Sequence, residues 1–152
     1  MLDFKFYYGG NMDYRRFGNK VVLRVDRGEE VIETITKVCE KEKIGLASVT
    51  GIGAADYALM GLYDIEKQQF NSTELKCPLE ITSLVGNITT MDGAVYQHIH
   101  INVADSNGKV YGGHLKETVI SGTAEIVIDV IDGEVGREKD SLTGTGLNLF
   151  SF

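Results

Sequence analysis

The three histidines of the chain lie within seventeen residues of one another, in segments 96–105 and 112–115. The first segment reads YQHIHINVAD, and its alternation of polar and apolar residues predicts a strand with His98 and His100 on one face. Residues two apart on a strand are separated by about 6.6 Å, and metal–imidazole bonds are about 2.0–2.1 Å long. Two imidazoles at this spacing can therefore converge on one metal ion.

The position of the third histidine depends on the turn that precedes it. Segment 105–109, DSNGK, has the composition of a β-hairpin turn. A two-residue loop would turn His114 to the opposite face, unless a bulge at the two following glycines restored its direction. A three-residue loop at 106–108 places His114 directly opposite His100, about 5 Å away on the same face. We favour the three-residue loop, although the sequence permits both.

Three imidazoles indicate a divalent metal ion. We expect zinc, although iron, nickel and copper also accept imidazole ligands. Three protein ligands with no evident fourth are typical of an open site, where the remaining position holds water or a substrate.

One segment has the spacing of an amphipathic helix, and the other regular segments read as strands. The helix is predicted from about Glu29 to Lys43, with Asp26 and Glu29 as a capping box. With 18 glycines and one proline, the rest suits strands joined by turns and bulges. The predicted strands span 20–26, 46–51, 57–64, 81–90, 95–104 and 123–131.

Length and composition indicate one domain. The chain has 152 residues, of which 43% are hydrophobic, enough for a core of its own. We assign residues 12–152 to a single domain and residues 1–11 to an N-terminal arm. No apolar run is long enough to cross a membrane, and the N-terminus lacks the pattern of a secretory signal. Cys39 and Cys77 form no C-x-x-C pair, so we expect reduced thiols and a cytoplasmic protein.

The charge balance argues against unaided DNA binding. The chain carries 15 basic and 22 acidic residues, a net charge of −7. Proteins bind DNA largely by neutralising phosphates with Lys and Arg. Five basic residues near the start are the nearest approach to a patch, and a solvated surface with ion pairs explains them better. These are Arg15, Arg16, Lys20, Arg24 and Arg27.

Several short motifs, in this order and spacing, resemble the PPC ("plants and prokaryotes conserved") domain family over residues 14–152. The motifs are Tyr14-Arg-Arg-Phe, Arg27-Gly-Glu-Glu, Gly51-Ile-Gly-Ala, Gly86-Asn-Ile, Asp92-Gly, His98-Ile-His, Gly112-Gly-His-Leu and Thr123-Ala-Glu. The resemblance implies an α+β fold, in which one main helix packs on an antiparallel, partly barrel-like sheet. It also implies a homotrimer, and metal on His98, His100 and His114 as in some members. Plant members carry an AT-hook and bind DNA, whereas this chain has no Arg-Gly-Arg-Pro hook.

At the level of fold and ligands, the chain also resembles acetolactate decarboxylase, which holds zinc on three histidines. Under this likeness, Glu125 is the candidate for a fourth ligand or a general acid/base. An exposed carboxylate at a strand end is the alternative for Glu125. Arg24 and Arg27 could orient an anionic substrate, although surface ion pairs explain them equally well.

Three functional hypotheses follow. The first is a homotrimeric metal-binding PPC-domain protein with a DNA-associated or transcription-regulatory role, whose partners are DNA or DNA-bound regulators. The second is a zinc-dependent enzyme acting on a small carbonyl or carboxylate compound, with a small anionic ligand at the metal. The third is a structural assembly module. An acidic surface weakens the first, an open metal site with a polar pocket favours the second, and a buried, fully ligated metal favours the third.

Overall fold

The computed structural model describes residues 13–152, so the predicted arm at 1–11 lies outside the described residues. One helix and nine strands form within this range, which confirms the α+β class. In chain order they are β1 Asp13–Phe17, β2 Lys20–Asp26, α1 Val31–Glu42, β3 Ala47–Asp64, β4 Gln69–Leu75, β5 Leu79–Met91, β6 Ala94–Ala104, β7 Val110–Val130, β8 Gly136–Lys139 and β9 Asn148–Ser151.

Seven strands form one antiparallel sheet in the order β1-β2-β7-β6-β5-β3-β4. Strand β3 also pairs with β7, so that β3, β5, β6 and β7 are hydrogen-bonded in a closed ring. This ring corresponds to the partly barrel-like sheet that the family resemblance implied. Strands β8 and β9 form a separate two-stranded hairpin, which we call the C-terminal hairpin.

Two strands are longer than the sequence pattern indicated. The predicted strands 46–51 and 57–64 are one continuous strand, β3, and the predicted strand 123–131 is the second half of β7. The register of β3 shifts against β5 between Gly51 and Gly53, and shifts at three points against β7. Bulges of this kind bend a strand without ending it, so the glycines mark a bend rather than a break. The short strands β1, β4, β8 and β9 were not predicted.

The helix begins later than predicted, and its cap is a different residue. Glu30 is the N-cap, and its carboxylate accepts hydrogen bonds from the N–H groups of Ile32 and Glu33. The same carboxylate accepts from Thr118 N in β7 at 3.1 Å, which ties the start of the helix to the sheet. Asp26 instead donates its backbone N–H to Glu29 in the preceding turn. The residues of the predicted capping box, Asp26 and Glu29, therefore form the turn before the helix. Glu30 takes the place of the cap, and it also contacts β7.

The core lies between α1 and one face of the sheet. Val31, Ile35 and Val38 of the helix are fully buried, and they belong to the same cluster as Ile99 and Ile101 of β6. The predicted alternation of β6 is confirmed, since its histidines point away from this core. No helix among residues 13–152 is long and apolar enough to cross a membrane.

Candidate metal centre

The hairpin between β6 and β7 brings two of the histidines face to face. Asp105 pairs with Lys109 across the loop, and Gly108 donates its N–H to the Asp105 carbonyl. Gly108 has a φ of 75°, the left-handed conformation that the three-residue loop requires. His100 is therefore the cross-strand partner of His114, as predicted.

A close approach of two glycines packs β7 against β3 beside the third histidine. His114 pairs with Gly61 of β3 as well as with His100. A Cβ on Gly113 would lie 2.5 Å from the Gly61 carbonyl oxygen, so no larger residue fits at that position without moving the backbone. The Gly112-Gly113 pair thus lets β7 lie between β6 and β3 and holds His114 at its place in the ring.

The three imidazoles form a compact triangle. Ring centroids are 5.1 Å apart for His98 and His100, 5.3 Å for His98 and His114, and 5.7 Å for His100 and His114. One ligand nitrogen from each ring lies within 4.8 Å of the other two. In a tetrahedral zinc site the ligand nitrogens are about 3.4 Å apart. Side-chain rotations that move the ligand nitrogens by about 1 Å would therefore bring them to bonding distance of one ion. The donor set fits a divalent metal ion.

The surroundings of His98 and His114 favour neutral imidazoles, the form that binds metal. Burial lowers the pKa of His114 to about 4, with further contributions from the charge of Lys116 and from the other two histidines. Burial also lowers the pKa of His98, together with the charges of His100 and Arg137. At neutral pH these rings offer lone pairs rather than protons.

The triangle opens into a cavity of about 690 Å³, which we call the histidine cavity. One wall is the C-terminal hairpin, which contributes Arg137, Asn148 and Phe150. Lys116 of β7 and Phe70 of β4 line another part of the cavity, and the Phe70 ring lies 5.9 Å from the His114 ring. No aspartate or glutamate is among the described residues that line it.

Arg137 is the most firmly held cation in the histidine cavity. Its guanidinium donates to Thr89 Oγ1 at 2.8 Å, to the Asn148 carbonyl at 2.8 Å and to Asn87 Oδ1 at 2.9 Å. The rings of Tyr96 and Phe150 lie 4.6 and 4.5 Å from its central carbon. The sequence offered no signal for Arg137 or Lys116, because their position depends on how the hairpin and β7 fold around the histidines.

Glu125 lies in a different place from the histidines. It follows His114 by eleven residues on β7, pairs with Arg24 and Ile52, and lines a second cavity of about 830 Å³ on the sheet. Arg24 lines this second cavity too, where it forms ion pairs with Asp13 and Asp26. The structure therefore brings together His98, His100 and His114 but not Glu125.

Solved structures with this fold come from bacteria and archaea. A candidate DNA-binding protein from Bacteroides thetaiotaomicron is similar with a TM-score of 0.88 and 26% identity, over 93% of this chain and 97% of that one. A protein from Archaeoglobus fulgidus described as metal-containing is similar with a TM-score of 0.81 and 32% identity, over 94% and 99% of the chains. Acetolactate decarboxylase from Bacillus subtilis shares the fold at 12% identity, with a TM-score of 0.54 over 82% and 57%.

Among curated proteins, the chain is 30% identical over 125 residues to a protein of Synechococcus sp. named bifunctional protein GlmU. The alignment covers 80% of this chain, which spans only about a fifth of the length of that relative. The family model for the Plants and Prokaryotes Conserved (PCC) domain matches residues 12–132, which include all three histidines. The chain belongs to the Plants and Prokaryotes Conserved domain family.

Proposed function

We propose that the chain is a metal-dependent ligand-binding domain, in which His98, His100 and His114 hold a divalent ion, with zinc as the first candidate. The triangle of imidazole rings is the observation that carries this proposal. The Archaeoglobus relative described as metal-containing supports it. When bound by three imidazoles, zinc supplies an open coordination position and acts as a Lewis acid toward an oxygen of the ligand.

The proposal favours ligand binding over acid–base catalysis. The described residues lining the histidine cavity include no carboxylate that could act as general acid or base. Glu125, the candidate for that role, lines the second cavity. A structural module is less well supported, because its metal would normally be closed off by a fourth protein ligand.

Elemental analysis of protein purified without chelator tests the metal site. We expect about one divalent metal ion per chain, and its loss in His100→Ala. Asn102→Ala is the matched control, since Asn102 lies two residues further along the same strand face and is not a proposed ligand. Wild-type protein without metal at neutral pH would refute the site.

We also propose self-association into a homotrimer, supported by an exposed apolar band on the sheet. The band consists of Val22, Ile52, Val85 and Val127, which are 38–56% exposed and line the second cavity. Val22 is the cross-strand partner of Val127, and Thr50 pairs with both Val127 and Val85, so the three valines and Thr50 form a row across four strands. Contiguous apolar surface of this kind marks protein interfaces.

Light scattering at micromolar concentration tests the assembly. We expect a trimer for the wild type and smaller species for Val85→Glu. Leu142→Glu is the matched control, since Leu142 is 94% exposed in the loop of the C-terminal hairpin, outside the band. A wild-type monomer would contradict the homotrimer, and a stable Val85→Glu trimer would exclude the band as its interface.

A DNA-associated regulatory role is the second candidate function, favoured by the relatives described as candidate DNA-binding proteins. The net charge of −7 opposes direct binding, and a trimer would triple it. Any such role would therefore depend on a DNA-bound partner protein.

A location in the cytoplasm is also part of the proposal, supported by the free thiols of Cys39 and Cys77.

A further inference from the structure

The histidine cavity concentrates positive charge in an acidic protein. Arg137 and Lys116 line it, and neither forms an ion pair with an acidic residue among residues 13–152, whereas six other Lys and Arg side chains do. Lys116 lies two residues after His114 on β7, and Arg137 lies against Tyr96 of β6, the strand that carries His98. A divalent ion bound by three neutral imidazoles would add two further positive charges that its ligands do not neutralise.

Arg137 is partly buried and Lys116 is exposed, and no carboxylate among the described residues neutralises either charge. A ligand that enters the cavity is therefore selected for negative charge. The volume of about 690 Å³ is that of a site for a small molecule.

The contacts of the Arg137 guanidinium favour a ligand with a planar anionic group. Tyr96 and Phe150 lie close to its guanidinium and leave the in-plane N–H groups as its binding surface. The guanidinium has five N–H bonds, of which three bind Thr89, Asn87 and Asn148. One N–H on each Nη is not used by these three residues, and a carboxylate has two oxygens that can accept from such donors.

The remaining lining selects an organic anion over an inorganic one. Phe70, Leu147, Leu149 and Phe150 contribute apolar side chains to the cavity. A phosphate ion would leave these side chains in contact with water, whereas the carbon skeleton of an organic acid would cover them. A carboxylate with an apolar body thus uses both the charge and the apolar surface of the cavity.

We propose that the histidine cavity binds a small organic carboxylate, whose anionic group is held by Arg137 and Lys116 beside the metal. The proposal deepens the metal-dependent function and rests on it for the metal contact. The cation contacts come from this chain's own side chains. Arg137 belongs to β8 of the C-terminal hairpin, beyond residues 12–132, the part matched by the family model.

Benzoate is a suitable probe, with benzamide as its neutral isostere and inorganic phosphate as the competing anion. Binding is measured by calorimetry on the full chain, and metal content is determined on the same samples. We expect benzoate to bind, benzamide to bind at least tenfold more weakly, and phosphate to bind more weakly than benzoate. Arg137→Met should weaken benzoate binding by about 10- to 100-fold without loss of metal.

Lysine variants provide a matched pair that does not disturb the fold. Lys116 lies 4.6 Å from the centre of the Phe70 ring and Lys109 lies 4.8 Å from that of Tyr111, but only Lys116 lines the cavity. Lys116→Met should weaken benzoate binding by about three- to tenfold, and Lys109→Met should leave it unchanged.

The outcomes separate this inference from the proposed function. Metal-loaded protein that binds benzoate no better than benzamide would overturn the inference and leave the metal site intact. Tighter binding of phosphate than of benzoate would also overturn it. Metal-free protein would refute the proposed function, and benzoate binding that depends on Arg137 in such protein would still support the cation contacts.

Discussion

Substitution of Gly113 by alanine tests how the sheet positions the metal ligands. The added Cβ would lie 2.5 Å from the Gly61 carbonyl oxygen, and an ordinary contact of this type is longer by about 0.9 Å. Because the clash is with backbone, β7 and β3 must separate beside His114. Overpacking of this kind costs about 1–3 kcal/mol. For a chain of this size each kcal/mol lowers Tm by about 2–4 °C, so we expect a decrease of about 2–12 °C.

The same displacement should weaken the metal site, because it moves the backbone of His114 relative to the strand that carries His98 and His100. The assay is thermal unfolding combined with elemental analysis, each with and without chelator. Gly112→Ala is the matched control. Its Cβ would meet mainly the Asn102 side-chain amide, which can rotate away, so we expect a smaller loss of stability and retained metal. Wild-type stability and metal content in Gly113→Ala would refute the reasoning.

Three further predictions concern pH, thiol reactivity and DNA. Chelator-treated protein should lose stability as pH falls from about 6.5 to about 4. In this range the unfolded chain, in which His114 has its ordinary pKa, binds a proton that the folded protein does not bind. Denaturant titrations should therefore show a smaller loss of stability for His114→Gln. Burial raises the pKa of Cys39 to about 12, so a thiol reagent at neutral pH should label Cys77 well before Cys39, as mass spectrometry of labelled peptides would show. In anisotropy titrations near physiological salt, the protein alone should bind duplex DNA no more tightly than about 10⁻⁴–10⁻⁶ M, and a nanomolar, sequence-specific dissociation constant would contradict this expectation.

Local patterns were sufficient to predict the hairpin that carries the three proposed ligands. The alternation in 98–103 determined which face of β6 bears the histidines, because strand side chains have a period of two. The Asp105–Lys109 turn favoured the three-residue loop without requiring it, and the structure has this loop, which places His100 opposite His114. Both rules act over a few residues, so the metal site could be predicted without knowledge of the rest of the fold.

Long-range closure of the sheet could not be predicted in the same way. The pairing of β3 with β7 completes the ring and packs Gly61 beside His114, and the paired residues are more than fifty positions apart in the chain. The charge of the histidine cavity likewise depends on Arg137 in a four-residue strand too short and polar to be recognised. Glu125 and His114 share a strand, yet the bulged course of β7 carries them to different cavities. The sequence alone thus indicated which residues form the histidine triangle, through local periodicity and turn chemistry. Only the tertiary structure decided what surrounds it, because those neighbours meet through contacts between distant segments that leave no local pattern.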